Sequence, residues 1–180
     1  PDVMLEHHIV EATGESETEF ISEVEIIFGT FSKIGGLENC NQLVSLTLIN
    51  CGLTEISGLE CVGGTLERLT LCDQHIERME NLALPNLREL LLQQNKITCI
   101  QGLNSCPRLH RLWIWGNQIS KIEGLANCVQ LRELWLQENK ITRVEGLASL
   151  MHLENLGLAG NDITDFPDMS NSLSRLPCLS

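Results

Sequence analysis

Tyrosine is absent from the 180 residues, and aromatic side chains of any kind are scarce, at three Trp and four Phe. No phenol is therefore at hand as a catalytic acid or base. Basic residues number 12 against 24 acidic ones, for a net charge of −12. Such a surface repels phosphate backbones, which argues against nucleic acid and in favour of protein partners with a basic surface. No apolar run approaches the roughly 20 residues that span a bilayer, so no membrane insertion is expected. The opening PDVMLEHHIV has neither the basic n-region nor the apolar h-region of a secretory signal. It also lacks an initiator Met, so a processed chain or an excised piece of a longer one is expected.

Catalytic motifs are missing as well. Gly35-Gly36 and Gly63-Gly64 read as turn glycines rather than a phosphate cradle, and no nucleophile elbow or Ser-His-Asp motif occurs. His7-His8 and the run Cys72-Asp73-Gln74-His75 lack zinc-site spacing. No catalytic residue, cofactor or metal ligand is assigned, and the chain reads as a non-enzyme.

What the sequence has is repetition. Residues 109–131, LHRLWIWGNQISKIEGLANCVQL, open a pattern that residues 131–153, LRELWLQENKITRVEGLASLMHL, repeat. A fixed period with a fixed apolar skeleton is the signature of a solenoid, whose copies are each too small to bury their own apolar face. Copies open at Ile21, Leu43, Leu66, Leu87, Leu109, Leu131 and Leu153, with an eighth begun near Leu179. The domain therefore runs over 21–180, behind an acidic lead-in at 1–20. In the lead-in, VMLEHHIV is either a short capping helix or part of a disordered tail.

Each copy explains itself locally. In L-x-x-L-x-L the last two leucines are two apart and point to one face of a strand. Asn95, Asn117, Asn139 and Asn161 end their strands, with an amide able to bond backbone groups freed by the turn. Gly29, Cys51 and Gln74 replace that Asn in the first three copies, which puts the ladder there in doubt. Gly58, Gly102, Gly124 and Gly146 allow a tight bend in the return, which is too short for a long helix and is expected to use 3₁₀ or short helical turns. The eight cysteines include Cys40, Cys106 and Cys128 at one repeat position, where another copy has Leu150, while Cys61 is placed at the end of the second copy. A site that takes Cys or Leu is an apolar one, so reduced core thiols of a cytosolic protein are expected.

The pattern resembles the leucine-rich repeat superfamily, and its 22-residue form N-x-I-x-x-I-x-G-L resembles the subclass typified by a regulatory subunit of protein phosphatase 1. The resemblance implies an α/β leucine-rich-repeat solenoid, with parallel strands on the concave face and short 3₁₀ or helical turns on the convex face. It also implies a cytoplasmic setting, with a ciliary or cytoskeletal one as an alternative.

Outward strand positions define the candidate surface. They include Glu89, Leu91 and Gln93, then Arg111, Trp113 and Trp115, then Glu133, Trp135 and Gln137, then Asn155, Gly157 and Ala159. Cys72 falls in the same set in the third copy. All three tryptophans land there, and Trp113 and Trp135 belong on neighbouring strands about 4.8 Å apart. An exposed apolar patch of this kind marks a partner site or else covers neighbouring strands. The partner-binding set is Trp113, Trp115, Trp135, Leu91, Arg111, Glu133, Glu89 and Gln137. Its acids either pair with Lys or Arg of a partner or form a solvated rim. The function expected is a protein-interaction scaffold or adaptor. The alternatives are a regulatory subunit docking an enzyme such as a phosphatase 1 catalytic subunit, and an axonemal or microtubule-associated component.

Overall fold

The computed structural model describes residues 18–164 and 166–179. The proposed capping stretch Val3–Val10 lies outside them. Seven strands follow one another in chain order: β1 Glu23–Ile27, β2 Ser45–Ile49, β3 Arg68–Cys72, β4 Glu89–Leu91, β5 Arg111–Trp113, β6 Glu133–Trp135 and β7 Asn155–Gly157. They form one sheet in the order β1 to β7, every pair parallel. A parallel neighbour one copy later requires a full return of the chain, and here each return is one side of the solenoid coil.

Period-two alternation makes the strands. Leu90, Leu112, Leu134 and Leu156 stand in register across β4 to β7. The first three are completely buried, and Leu156, in the last strand, is half-buried. The return segment contributes at a spacing of about three. Ile119, Ile122, Leu125, Cys128 and Leu131 are each at most 1% exposed. Two successive turns bring the last of them inward: Cys128 N donates to Leu125 O at 3.0 Å and Leu131 N to Cys128 O at 3.0 Å. The same pair of bonds recurs at Cys106 and Leu109, and at Leu150 and Leu153. The convex side also carries short 3₁₀ turns at Glu60–Val62 and Leu103–Ser105.

Glycine is required where neighbouring coils touch. Gly124 and Gly146 have φ of +72° and +75°, and a Cβ on either would collide with the carbonyl of Ile100 or Ile122 in the preceding coil. In the third copy Asn81 takes the left-handed conformation (φ 58°), and its amide donates to Ile56 O at 2.7 Å.

The polar ladder runs further than the Asn pattern does. Asn117 Oδ1 accepts from Ile97 N at 2.9 Å, and its Nδ2 donates to Leu92 O at 3.0 Å and Ile114 O at 3.1 Å. Asn95, Asn139 and Asn161 repeat this scheme. Gln74 performs it in the third copy, accepting from Leu53 N and donating to Leu48 O, both at 3.0 Å. Its longer side chain also reaches Cys51 N and Cys72 O. Cys51 offers its thiol to the equivalent carbonyl of Ile26 at 3.6 Å and to Ile49 O at 3.4 Å, a weaker donor in the same place. The doubt over copy three is thereby removed, while copy two keeps only the donor half of the scheme. At Gly29 the ring of Phe31 occupies the space of the missing side chain.

Four cysteine placements differ from expectation. Val62, not Cys61, fills the apolar site of the second copy, because the spacing of three from Leu59 selects it; Cys61 is exposed. Cys178 is also exposed and Cys99 is half-buried, so those three thiols lie outside the core. Cys72 was placed outward and is only 5% exposed, donating to Leu91 O at 3.9 Å. The seventh copy ends in a helix, α1 (Phe166–Leu173), after which Leu176 returns to the core at 5% exposure.

Candidate partner-binding surface

Three rows of side chains cross the strand layer on its concave face. The first row is Glu89, Arg111 and Glu133, in register on β4, β5 and β6. The second is Leu91, Trp113, Trp135 and Gly157. The third, just past the strand ends, carries Gln93, Trp115 and Gln137. Parallel backbone bonds keep that row aligned, with Gln94 N donating to Trp115 O and Gly116 N to Gln137 O, both at 3.0 Å.

The first row is an ion triad. Arg111 Nη1 meets Glu89 Oε1 at 2.6 Å and its Nε meets Glu133 Oε1 at 3.1 Å. The hydrogen bond from Glu133 and the charge of Glu89 hold the guanidinium above its ordinary range. Farther along, Arg68 reaches back across β2 to Glu23 at 2.6 Å. Glu23, Glu89 and Glu133 thus have partners inside the chain, while Glu25, Asp73 and Glu138 are exposed. Glu133 was expected either to pair with a basic group of a partner or to form part of a solvated rim. Its side chain is 24% exposed, and its Oε2 accepts from Trp113 Nε1 at 3.4 Å and from Trp135 Nε1 at 3.5 Å. One carboxylate therefore ties the cationic row to the aromatic one.

Trp113, Trp115, Trp135 and Gln137 line a single hollow of about 270 Å3. The rings are half-buried rather than laid open to solvent: Trp113 reaches Glu133 on the next strand and Trp135 lies beside Gly157 on β7. Space for this comes from the next copy, which has Gly157 opposite Trp135. A Cβ there would run into the Gln137 amide, and would lie 2.5 Å from Trp135 Cε3. Gln137 Oε1 is buried and accepts no hydrogen bond among the described residues; neither does Gln93 Oε1. Leu91 is half-buried beside Trp113.

The room that Gly157 makes beside Trp135 and the double acceptor role of Glu133 were missed in the sequence. A missing side chain in register with a tryptophan was the available signal for the first. The second had none beyond the two-residue spacing of Glu133 and Trp135.

Two other hollows flank the solenoid. One, of about 310 Å3, adjoins the ion triad and is lined by Arg88, His110, Arg132 and Glu154 together with the triad. Arg88 pairs with Glu67 and Arg132 with Glu154, so its arginines are already matched. The other is a shallow convex groove of about 500 Å3 between the returns at Lys121–Ala126 and Glu145–Ser149. The most exposed large apolar side chains lie elsewhere, among them Phe20 and Phe28 near the first strand. No helix among the described residues is long and apolar enough to cross a membrane.

Comparison with known proteins agrees with this architecture. Among solved structures, an internalin (InlF) of Listeria monocytogenes superposes with a TM-score of 0.70 at 24% identity, covering 98% of this chain and 61% of that one. Internalin C2 of the same organism gives a TM-score of 0.64 at 28% identity, covering 100% of this chain and 93% of that one. A curated mouse relative, leucine-rich repeat- and IQ domain-containing protein 1, is 37% identical over 71 residues. That match takes in 39% of this chain and only 4% of the relative's length. The family model described as Leucine Rich repeats (2 copies) matches residues 85–127 and 129–179, more than half of the chain. With the in-register leucines and the side-chain ladder, this match places the chain in the leucine-rich repeat family.

Proposed function

We propose that this chain is a non-catalytic interaction scaffold or adaptor that holds a protein partner on its concave face. The contact set is Trp113, Trp115 and Trp135 with Leu91, Glu89, Arg111, Glu133 and Gln137. One observation carries the reading: all three tryptophans of the chain stand on outward strand-layer positions and line one hollow. A core would have buried these rings more fully, and half-buried aromatic anchors beside charged groups are the composition of binding hot spots.

The finer readings extend this one. The 22-residue repeat form supports a regulatory subunit docking an enzyme such as a phosphatase 1 catalytic subunit. The run EVEIIFGTFSKIGGLENC is similar to the opening of leucine-rich repeat-containing protein nine, and the resemblance to a subclass that also occurs in axonemal dynein light chain 1 supports an axonemal or microtubule-associated setting. Eight free cysteines suit a reducing, cytoplasmic compartment.

The test is parallel affinity capture with the parent, Trp113→Ala and Trp135→Ala, followed by mass spectrometry and a binding titration of the captured protein. Loss of a hot-spot Trp costs about 2 kcal/mol, which is some thirtyfold in affinity at about 1.4 kcal/mol per tenfold. If both variants fold and bind like the parent, the convex face with Lys33, Arg78, Lys121 and Arg143 becomes the site. A phosphatase among the captured proteins selects the regulatory reading, and tubulin or dynein components select the axonemal one.

A further inference from the structure

We propose that the tryptophan hollow is a receptor for an arginine guanidinium presented by a basic segment of the partner. The proposal rests on the concave-face reading above and names what that face recognises. Its first support is the lining. Three indoles and Gln137 line an open hollow of about 270 Å3, small for a drug-sized ligand and suited to one side chain. Indole is the strongest cation-binding ring among the side chains.

The second support is the acceptor set. Glu133 touches two of the rings through their nitrogens, and Gln137 forms part of the wall with an oxygen that no described residue satisfies. Buried acceptors without donors are costly, so an apolar or purely aromatic guest would leave that cost in place. A trimethylated ammonium has charge but no N–H to offer. A lysine ammonium has donors but is compact and strongly hydrated. A guanidinium is flat, stacks on aromatic faces, and carries five N–H donors in a fixed fork.

Charge is the third support. Glu89, Arg111 and Glu133 leave one net negative charge beside the hollow; Arg111 is held by both acids, and Arg68, in register with Glu89 on β3, is held by Glu23. The chain as a whole stands at −12, which steers basic segments towards it.

All three tryptophans line this one hollow, so intrinsic fluorescence reports on it alone. The experiment titrates the full chain with an acetylated and amidated peptide of alternating arginine and serine. Peptides of equal charge carrying lysine or trimethyl-lysine run beside it. The arginine peptide is expected to bind about tenfold more tightly than either, in line with a desolvated cation–π contact. Trp135→Leu and Trp113→Leu keep apolar bulk and remove the indole. With circular dichroism showing a folded chain, each should abolish the arginine preference, and Gln137→Ala should weaken it. Equal binding of arginine and lysine, tighter binding of trimethyl-lysine, or a preference that survives both leucine variants would overturn the proposal. Capture of a protein partner that is lost in the tryptophan variants, together with no arginine preference, would leave the concave site standing and remove only the guanidinium.

Discussion

The indole nitrogen of Trp113 donates to Oε2 of Glu133, 3.4 Å away on the next strand, while Oε1 of the same carboxylate holds Arg111. Glu133 therefore orients the aromatic row as well as balancing the cationic one. Its loss should alter the surface more than the fold. Glu133→Ala is expected to move the unfolding free energy by under about 1 kcal/mol, since partly exposed ion pairs contribute little. It should shift the tryptophan emission clearly. Glu55→Ala, which breaks the distant Lys33–Glu55 pair, should leave the emission unchanged. A urea melt and an emission spectrum of each variant check this.

Asn117 supplies three hydrogen bonds to buried backbone groups on two coils. Asn117→Ala orphans all three. At about 1–3 kcal/mol per unsatisfied buried group, with part recovered by entering water, a loss of roughly 3 kcal/mol is expected. That is comparable to Leu112→Ala at the centre of the array, for which removal of a buried leucine costs about 2–5 kcal/mol. Leu156→Ala, at a half-buried site, should cost less than either. Chemical denaturation of the three variants gives the ranking.

Two glycines separate backbone strain from side-chain crowding. Gly146→Ala puts a Cβ on the Ile122 carbonyl at φ +75°, so both the neighbouring coil and the backbone must give. Gly157→Ala meets mainly the flexible end of Gln137 and the edge of Trp135, with no left-handed φ. Gly146→Ala should therefore lower the melting temperature further, whereas only Gly157→Ala should change the tryptophan emission. The reverse pattern would show that the ring of Trp135 does not lean over Gly157.

Thiol reactivity should follow burial. Brief alkylation of the native protein at pH 8 should label Cys61 and Cys178 first, and leave Cys40, Cys51, Cys72, Cys106 and Cys128 until denaturant is added. Burial pushes the Cys72 thiol up to about 12, helped by Asp73, and that of Cys128 up to about 11, helped by Cys106. The folded thiols keep their protons after the unfolded ones, at about 8.5, have lost theirs. This stabilisation is complete below that value and is lost as pH rises towards about 11 for Cys128. Melts at pH 7, 9 and 10.5 should show a shallower decline for Cys128→Ala than for the parent.

Much of the coil was legible because its period is enforced by burial. One residue of slippage would turn Leu112 outward, so the register of Leu90, Leu112 and Leu134 could be read from spacing alone. The facing of Trp113 and Trp135 followed from the same rule. What escaped depends on side-chain reach. That Gln74 spans the distance an Asn would, that Cys51 lends a thiol to the ladder, and that Glu133 serves two indoles are facts of length and angle. Cys72 illustrates the limit of alternation, since a small side chain on an outward position can still be covered by its neighbours. Helix α1 replaces the usual return where Phe166, Pro167 and Met169 break the I-x-G-L ending.

The ladder has a direction. Each amide reaches backwards: Asn117 to Leu92 and Ile97, Asn139 to Ile114 and Ile119, Asn161 to Leu136 and Ile141. In this ladder the buried amide and carbonyl at the end of a coil find their side-chain partner only in its successor, whose Asn also ties its own strand. During synthesis, a coil that has left the ribosome keeps open carbonyls and amides until the following Asn emerges. The nascent chain consequently closes one coil behind its own growing end, and the newest coil is always the one that water or a chaperone must tend.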